Sequence, residues 1–377
     1  MTSRRPSPLP LTREASLYID AVRVLAALVV FLDHFARPAI SGGLFWQIAP
    51  FGGDAVIVFF VISGFVIAHA TAQKERNAAD YFVSRAARIY SVAVPAIALT
   101  AACDFVGQWI DPHYTSWSYS TGVLWQQLLT GLTFTNAFWN LGFFPGSDGA
   151  YWSLGYEVPY YVIFGAALFA RGLWRIILPA GLMLMAGPGI VTLLPIWLFG
   201  VGLYCLGRRW KAREAIGWLL FLGSIAAWGA AQFWMRAAGY AIEHVATTDY
   251  VPDYVTGICF AINLLGFEAI APRFARLLRP YARAIRWTAG RSFTIYLVHI
   301  PVLKLCAVMP FWNITAWSTR VAMIAITALV VVVIGACFEQ RREPWRRCFA
   351  ALLYRAHPEQ ATLQPRVDRG AGRRWHG

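Results

Sequence analysis

Residues 18–35 read YIDAVRVLAALVVFLDHF, an apolar run of membrane length broken by Asp20, Arg23 and His34. At about 100° per residue, the step from Arg23 to His34 returns to within roughly 20° of the same direction, three helical turns on. The three ionisable groups form one polar stripe. A rise of about 1.5 Å per residue sets Arg23 and His34 roughly 16 Å apart along the axis, one towards each side of a hydrocarbon core about 30 Å thick. Charged groups at that depth cost about 3 kcal/mol each on insertion scales and face a partner or a water-filled cavity. A snorkelling Arg and an interfacial His would be the plainer reading; the shared stripe favours a functional one.

Working outward, the remaining sequence has the same character. Of 377 residues, 58% are hydrophobic, 15% aromatic and only 14% charged, too apolar for an ordinary soluble domain. The expected fold is an all-α integral membrane protein with about ten transmembrane helices, over 18–36, 52–70, 89–107, 151–170, 173–188, 190–206, 215–234, 254–271, 290–310 and 319–338. The stretch 108–150 is then an outer segment, in which LWQQLLTGLTF has helical apolar spacing and is suited to lie in the interface or dip into the membrane. Residues 1–17 are a cytoplasmic N-terminal segment, 18–345 the membrane domain, and 346–377 a basic cytoplasmic tail expected to be disordered. The interior Arg23 and the length of the first span argue for a retained helix rather than a cleaved signal.

A net charge of +14 would point to nucleic acid in a soluble protein. Here the positions of the charges decide. With the N-terminus inside, 28 of the 33 Lys and Arg fall in or beside cytoplasmic segments. Only Arg37, Arg236 and Arg320 fall outside, and Arg23 and Lys304 lie within spans. This positive-inside asymmetry puts both termini in the cytoplasm and requires no nucleic acid. The six cysteines sit in or beside apolar spans without C-x-x-C spacing, so neither a metal site nor a disulfide framework is expected.

Several further residues carry chemistry. Arg85 and Arg88, in YFVSRAARIY, share a helix face, and two guanidinium forks there suit phosphate recognition, although Arg at the inner end of a span is also ordinary topology decoration. YWSLGYEVPYY places Ser153 and Glu157 on one face at the outer membrane level, where a carboxylate can act as acid or base, hold a hydroxyl or position a neighbour. In GRSFTIYLVHIPVL, Ser292, Tyr296 and His299 form a second stripe, with His299 near mid-membrane as either a functional group or an interhelical hydrogen bond. Asp54 opens the second span on the same side as His34, and Ser63-Gly64 marks close packing. Asp33 points about 100° away from His34 and is expected to face elsewhere. Lys304 and Glu268 share no stripe with these groups.

Taken together, these segments resemble acyltransferase family 3 of integral membrane proteins, from about residue 18 to about 345. IDAVRVLAALVVFLDHF is similar to the family's L-D-x-L-R opening and Arg-x10-His motif, through Asp20, Arg23 and His34. VFFVISGFVI resembles its F-F-x-x-S-G-F segment, SRAARI its Arg-x-x-Arg-Ile, WSLGYE its W-S-L-x-x-E and SFTIYLVH its S-Y-x-x-Y-L-x-H. Phe293 departs from the usual Tyr, and FEQRREPWRR offers either Glu339 or Glu343 for the closing Glu-x-Pro. The extra soluble hydrolase-like domain of some members is not expected in this chain.

The resemblance implies a multi-pass enzyme of the bacterial cytoplasmic (inner) membrane, an acyltransferase moving groups other than aminoacyl groups. No bound cofactor is expected; cytoplasmic acyl-CoA, above all acetyl-CoA, is the donor substrate. The implied acceptor is a hydroxyl of an extracytoplasmic or lipid-linked glycan, as in cell-surface or exopolysaccharide O-acetylation. His34 is then the general base, Arg23 and Asp20 shape the cavity, and Glu157 joins them as a catalytic candidate. Arg85 and Arg88 bind donor phosphates, with Ser292, Tyr296, His299 and Asp54 as further candidates. The competing class is a transporter or glycan flippase that uses the same charges as a substrate path.

Overall fold

The computed structural model describes residues 11–75, 77–114, 122–207, 212–239 and 250–356, and these are all-helical. The principal helices are α1 (Arg13–Phe35), α2 (Gly52–Lys74), α3 (Ala78–Ile110), α4 (Leu124–Thr133), α5 (Leu154–Phe169), α6 (Trp174–Ala186), α7 (Pro188–Gly207), α8 (Glu214–Ala237), α9 (Val251–Ile270), α10 (Ala282–Ala289), α11 (Ser292–Ala307), α12 (Trp317–Ile334) and α13 (Glu343–Ala356). Each of the ten predicted spans coincides with a helix. Among the described residues, seven helical segments are long and apolar enough to cross a membrane. The other three, α5, α6 and α11, have 16, 13 and 16 residues. At about 1.5 Å per residue they measure roughly 20–24 Å, short of the full hydrocarbon thickness.

Helices pack where small residues remove the side chain between them. A Cβ at Gly64 on α2 would lie 2.0 Å from the Trp197 carbonyl oxygen on α7, and one at Gly200 on α7 would lie 2.0 Å from that of Val61 on α2. α2 and α7 therefore meet backbone to backbone, the close approach for which Ser63-Gly64 was singled out. The opposite surfaces of the outer helices stay apolar: Leu219 and Phe233 on α8 and Leu329 on α12 are exposed. Such faces suit lipid rather than water.

The outer segment is more than a loop. Ser147 N–H donates to Asp104 Oδ2 (2.8 Å), while Tyr90 O–H donates to the Leu132 carbonyl (2.8 Å). Asp104 and Tyr90 are both on α3, about 21 Å apart along its axis at the helical rise. The chain from α4 to Ser147 thus runs back along α3, and it satisfies its own polar groups, with Thr130 Oγ1 donating to the Phe143 carbonyl and Tyr151 O–H to that of Gly131, both at 2.9 Å. Non-helical backbone at membrane depth is tolerated when buried in protein in this way.

At the C-terminus, the stretch expected to be disordered from residue 346 begins instead as α13. Its apolar face explains the difference, since Phe349 packs its ring against Tyr90 at 5.2 Å and Trp345 at 6.3 Å. Residues 357–377 of the predicted tail, like 1–10 at the other end, lie outside the described residues.

Candidate active site

Five helices build one partly open cavity, with about 810 Å³ of atom-free space including the solvent at its mouth. α1 contributes Arg23, α2 Ser63, α3 Arg85 and Arg88, α5 Glu157 and Tyr161, and α11 Ser292 and Tyr296, with Val56, Phe59 and Phe60 among the apolar walls. Arg23 Nη2 donates to Ser292 Oγ at 3.0 Å, and its Nη1 lies 3.7 Å from Asp20 Oδ1. The two stripes read separately from the sequence are thereby joined across α1 and α11.

Glu157 does not sit at the outer membrane level. Its Oε1 accepts from both the Ser63 hydroxyl and the Tyr161 hydroxyl, and Trp197 Nε1 donates to Ser63 Oγ at 3.2 Å. It meets Ser63 half-way along α2 and shares a cavity with Arg85 and Arg88, so it lies in the middle of the bundle rather than at an end. Ser63 was read as a mark of close packing. It and Tyr161 are functional candidates by contact with Glu157: the pairing of α2 with α5 brings in Ser63, and Tyr161 lies one turn further along α5.

The arginine pair is unequal. Arg85 forms a buried ion pair with Glu75, which also accepts from Thr71 Oγ1 at 2.7 Å. Arg88 faces the cavity within electrostatic reach of Asp20, Arg23 and Arg342. Burial, and next the Arg88 guanidinium, push Arg342 down to about 10, so it remains a cation at neutral pH. Glu339, rather than Glu343, is the interior carboxylate of the closing motif. Its Oε2 accepts from Thr294 N–H (3.1 Å) and Oγ1 (2.6 Å), satisfying the first turn of α11, whereas Glu343 pairs with exposed Arg347 at 3.4 Å.

Beyond Tyr296, one turn further along α11, His299 meets His34. His299 Nε2 lies 3.2 Å from His34 Nδ1, with the ring centroids 5.0 Å apart and the planes at 69°. His299 Nδ1 is 2.9 Å from the Ile295 carbonyl, and His34 Nδ1 is 2.9 Å from that of Val30. A carbonyl only accepts, so His299 Nδ1 carries a hydrogen. With His299 neutral, its Nε2 is an acceptor and the hydrogen between the rings belongs to His34 Nδ1, shared with Val30. His34 Nε2 is then left as a bare lone pair, the state a general base requires. His34 keeps 14% of its side chain exposed, while His299 is fully buried.

Two neighbours of this pair differ from expectation. Asp33 does approach His34, with Oδ2 at 3.9 Å from Nδ1, because the carboxylate turns back over the start of α2, where a Cβ at Gly52 would lie 2.1 Å from it. Lys304 donates to the Ser147 carbonyl at 3.2 Å, tying α11 to the segment that returns along α3.

Asp54 is not brought to the cavity. Its Oδ1 accepts from Gln232 Nε2 (2.9 Å) on α8 and from the Thr256 hydroxyl on α9, to which Trp228 Nε1 donates at 3.0 Å. It ties three helices together. Glu268 lies beside Gly207, also away from the cavity.

A sequence model described as an acyltransferase domain matches residues 16–339. The chain belongs to acyltransferase family 3. It is also similar to an O-acetyl transferase of Shigella phage Sf6, 28% identical over 160 residues that make up 40% of this chain and 45% of the relative. The match therefore covers less than half the length of that relative. No solved structure matches. This member of the family is a multi-pass membrane protein, and its family motifs converge on a cavity inside the helix bundle and on the histidine pair beside it.

Proposed function

We propose that this acyltransferase moves an acyl group, most simply acetyl, from cytoplasmic acyl-CoA to a hydroxyl of an extracytoplasmic or lipid-linked glycan. In this reading ten segments cross the inner membrane of a bacterium, with both termini in the cytoplasm. The observation that carries it is that Tyr296, in the wall of the cavity that holds Arg88, Arg23 and Ser292, stands with its ring 6.4 Å from that of His299, which meets His34.

The guanidinium groups of Arg88 and Arg23 hold donor phosphates at the inner mouth. Arg85, already engaged by Glu75, stiffens that mouth and adds charge. The thioester arm extends along the cavity past Glu157 and Ser63. His34 Nε2 removes the proton of the acceptor hydroxyl as its oxygen attacks the thioester carbonyl. The C–O bond forms and the C–S bond breaks, and the proton held on His34 passes to the departing thiolate. Asp20 holds Arg23, and His299 holds His34 in its base-competent tautomer. Ser292 Oγ donates to the Ala289 carbonyl at 2.9 Å rather than to a base, and the Glu157 oxygen that accepts from Ser63 also accepts from Tyr161, which favours direct transfer over an acyl-enzyme.

The test is transfer from labelled acetyl-CoA by purified protein in lipid nanodiscs, with a bacterial surface polysaccharide as acceptor. A base-labile labelled ester on the glycan is the expected product. Glycan movement across the bilayer with neither transfer nor hydrolysis of the donor would make the chain a flippase instead.

A further inference from the structure

Beside the inner end of α1, a second, shallow hollow opens outside the cavity described above, with about 1730 Å³ of atom-free space when the open solvent over it is included. Its side chains include Arg13, Arg279, Arg283 and Arg286, with the rings of Tyr281 and Trp287. Among the described residues no carboxylate lines it. Glu14 engages Arg279, with Nε 2.7 Å and Nη2 2.6 Å from Oε1, leaving Arg13, Arg283 and Arg286 as the main cations of the hollow. Arg283 and Arg286 are three residues apart on α10 and share a face. Trp287 is held in place by Arg291, whose guanidinium carbon sits 3.7 Å from the ring centroid, and it remains 49% exposed.

Positive-inside topology explains basic residues here, but not a concave basic surface flanked by aromatic rings. Its position is the second observation. Arg286 lies within electrostatic reach of Asp20, the partner of Arg23. Ser292, which accepts from Arg23, follows Arg286 by only six residues, just past the break between α10 and α11. The hollow and the cavity are thus adjacent stations for one elongated, phosphate-bearing molecule.

We infer that this hollow takes the 3′-phosphoadenosine end of the acyl-CoA donor: Arg283 and Arg286 hold the 3′-phosphate, and Trp287 stacks on the adenine. The inference rests on the donor reading above and divides the donor between two sites. The diphosphate lies towards Arg23 and Arg88, and the nucleotide end lies outside, against α10. Arg forks suit phosphate oxygens, and an exposed indole suits a base of any identity.

The experiment is a double-mutant cycle between protein and ligand. Wild-type and Arg283→Ala/Arg286→Ala proteins in nanodiscs are titrated calorimetrically with CoA and with dephospho-CoA, which lacks only the 3′-phosphate. Charge-assisted hydrogen bonds of this kind are expected to give wild type about a 10- to 100-fold preference for CoA. The double variant should bind both ligands alike, near the wild-type level for dephospho-CoA. Trp287→Ala should weaken binding of adenosine 3′,5′-bisphosphate by about 10-fold, and unchanged binding of it would overturn the stacking.

A double variant that keeps the wild-type preference overturns the inference, as does a wild type that binds the two ligands equally. If that variant instead loses only its enrichment of phosphatidylglycerol from mixed nanodiscs, the hollow is a lipid-headgroup site and the inference falls. A wild type that binds no CoA removes the donor reading itself, so the two failures are distinguishable.

Discussion

Asp54 and Glu157 are both carboxylates within apolar helices, and their surroundings are opposite. Asp54 is held by Gln232 and Thr256, which Trp228 supports in turn, at the junction of α2, α8 and α9. Glu157 is held by Ser63 and Tyr161 but forms part of a cavity wall shared with three arginines. An intramembrane charge is reasonably taken as functional at first sight. The difference between these two shows that the deciding feature is whether the polar group borders open space or closes a packing junction.

The largest expected effect falls on the cavity side of the comparison. His34→Ala should lower turnover by about 10²- to 10⁴-fold, the usual range for losing a general base, with membrane expression and donor affinity near wild type. Near-normal acylation by that variant, in cells lacking another copy, would remove the base from the mechanism. Next comes its partner. His299→Phe should lower turnover by about 10- to 100-fold through loss of the inter-ring hydrogen bond, and His299→Gln should recover part of it because its carbonyl can accept from His34 Nδ1–H. Histidine ¹⁵N spectra give the independent check: His34 should be in the Nδ1–H tautomer in wild type, and in His299→Phe its Nδ1–H should keep only the bond to the Val30 carbonyl and lose the inter-ring coupling.

A more moderate effect separates the two arginines. Arg88→Ala should raise the donor KM by about 10-fold or more, while Arg88→Lys restores only part, lacking the planar fork. Arg85→Ala, by contrast, leaves Glu75 buried without its ion pair, so its first consequence should be lower thermal stability. Equal kinetic defects in the two, with equal stability, would show them to be one phosphate-binding pair. The smallest effect on catalysis belongs to Asp54→Asn. Turnover per folded molecule should stay within about twofold, while stability falls by roughly 1–3 kcal/mol as the junction loses a charged acceptor. A selective loss of turnover at unchanged melting temperature would put Asp54 into the mechanism after all.

Much of the fold was legible, because apolar length and basic asymmetry act within single segments. Each of the ten expected spans is a helix. What was not legible was depth and neighbourhood. The polar stripe of α1 gave the faces of Arg23 and His34, yet nothing in periodicity says that Ser292 meets Arg23 or that His299 meets His34, at sequence separations of 269 and 265. Glu157 was placed too far out because no hydropathy pattern encodes its contact with Ser63, half-way along α2. Asp33 was set aside on angular separation alone, and the conformation of its carboxylate over Gly52 overrides that.

The central claim is that one path carries an acyl group from an inner arginine mouth to a hydroxyl activated at His34. Sealed proteoliposomes of mapped orientation test it most directly, with labelled acetyl-CoA supplied only on the side of the C-terminal tail and the glycan only on the other. The account predicts labelled glycan across the intact bilayer, abolished by His34→Ala. Labelling only when donor and acceptor share a side would contradict it.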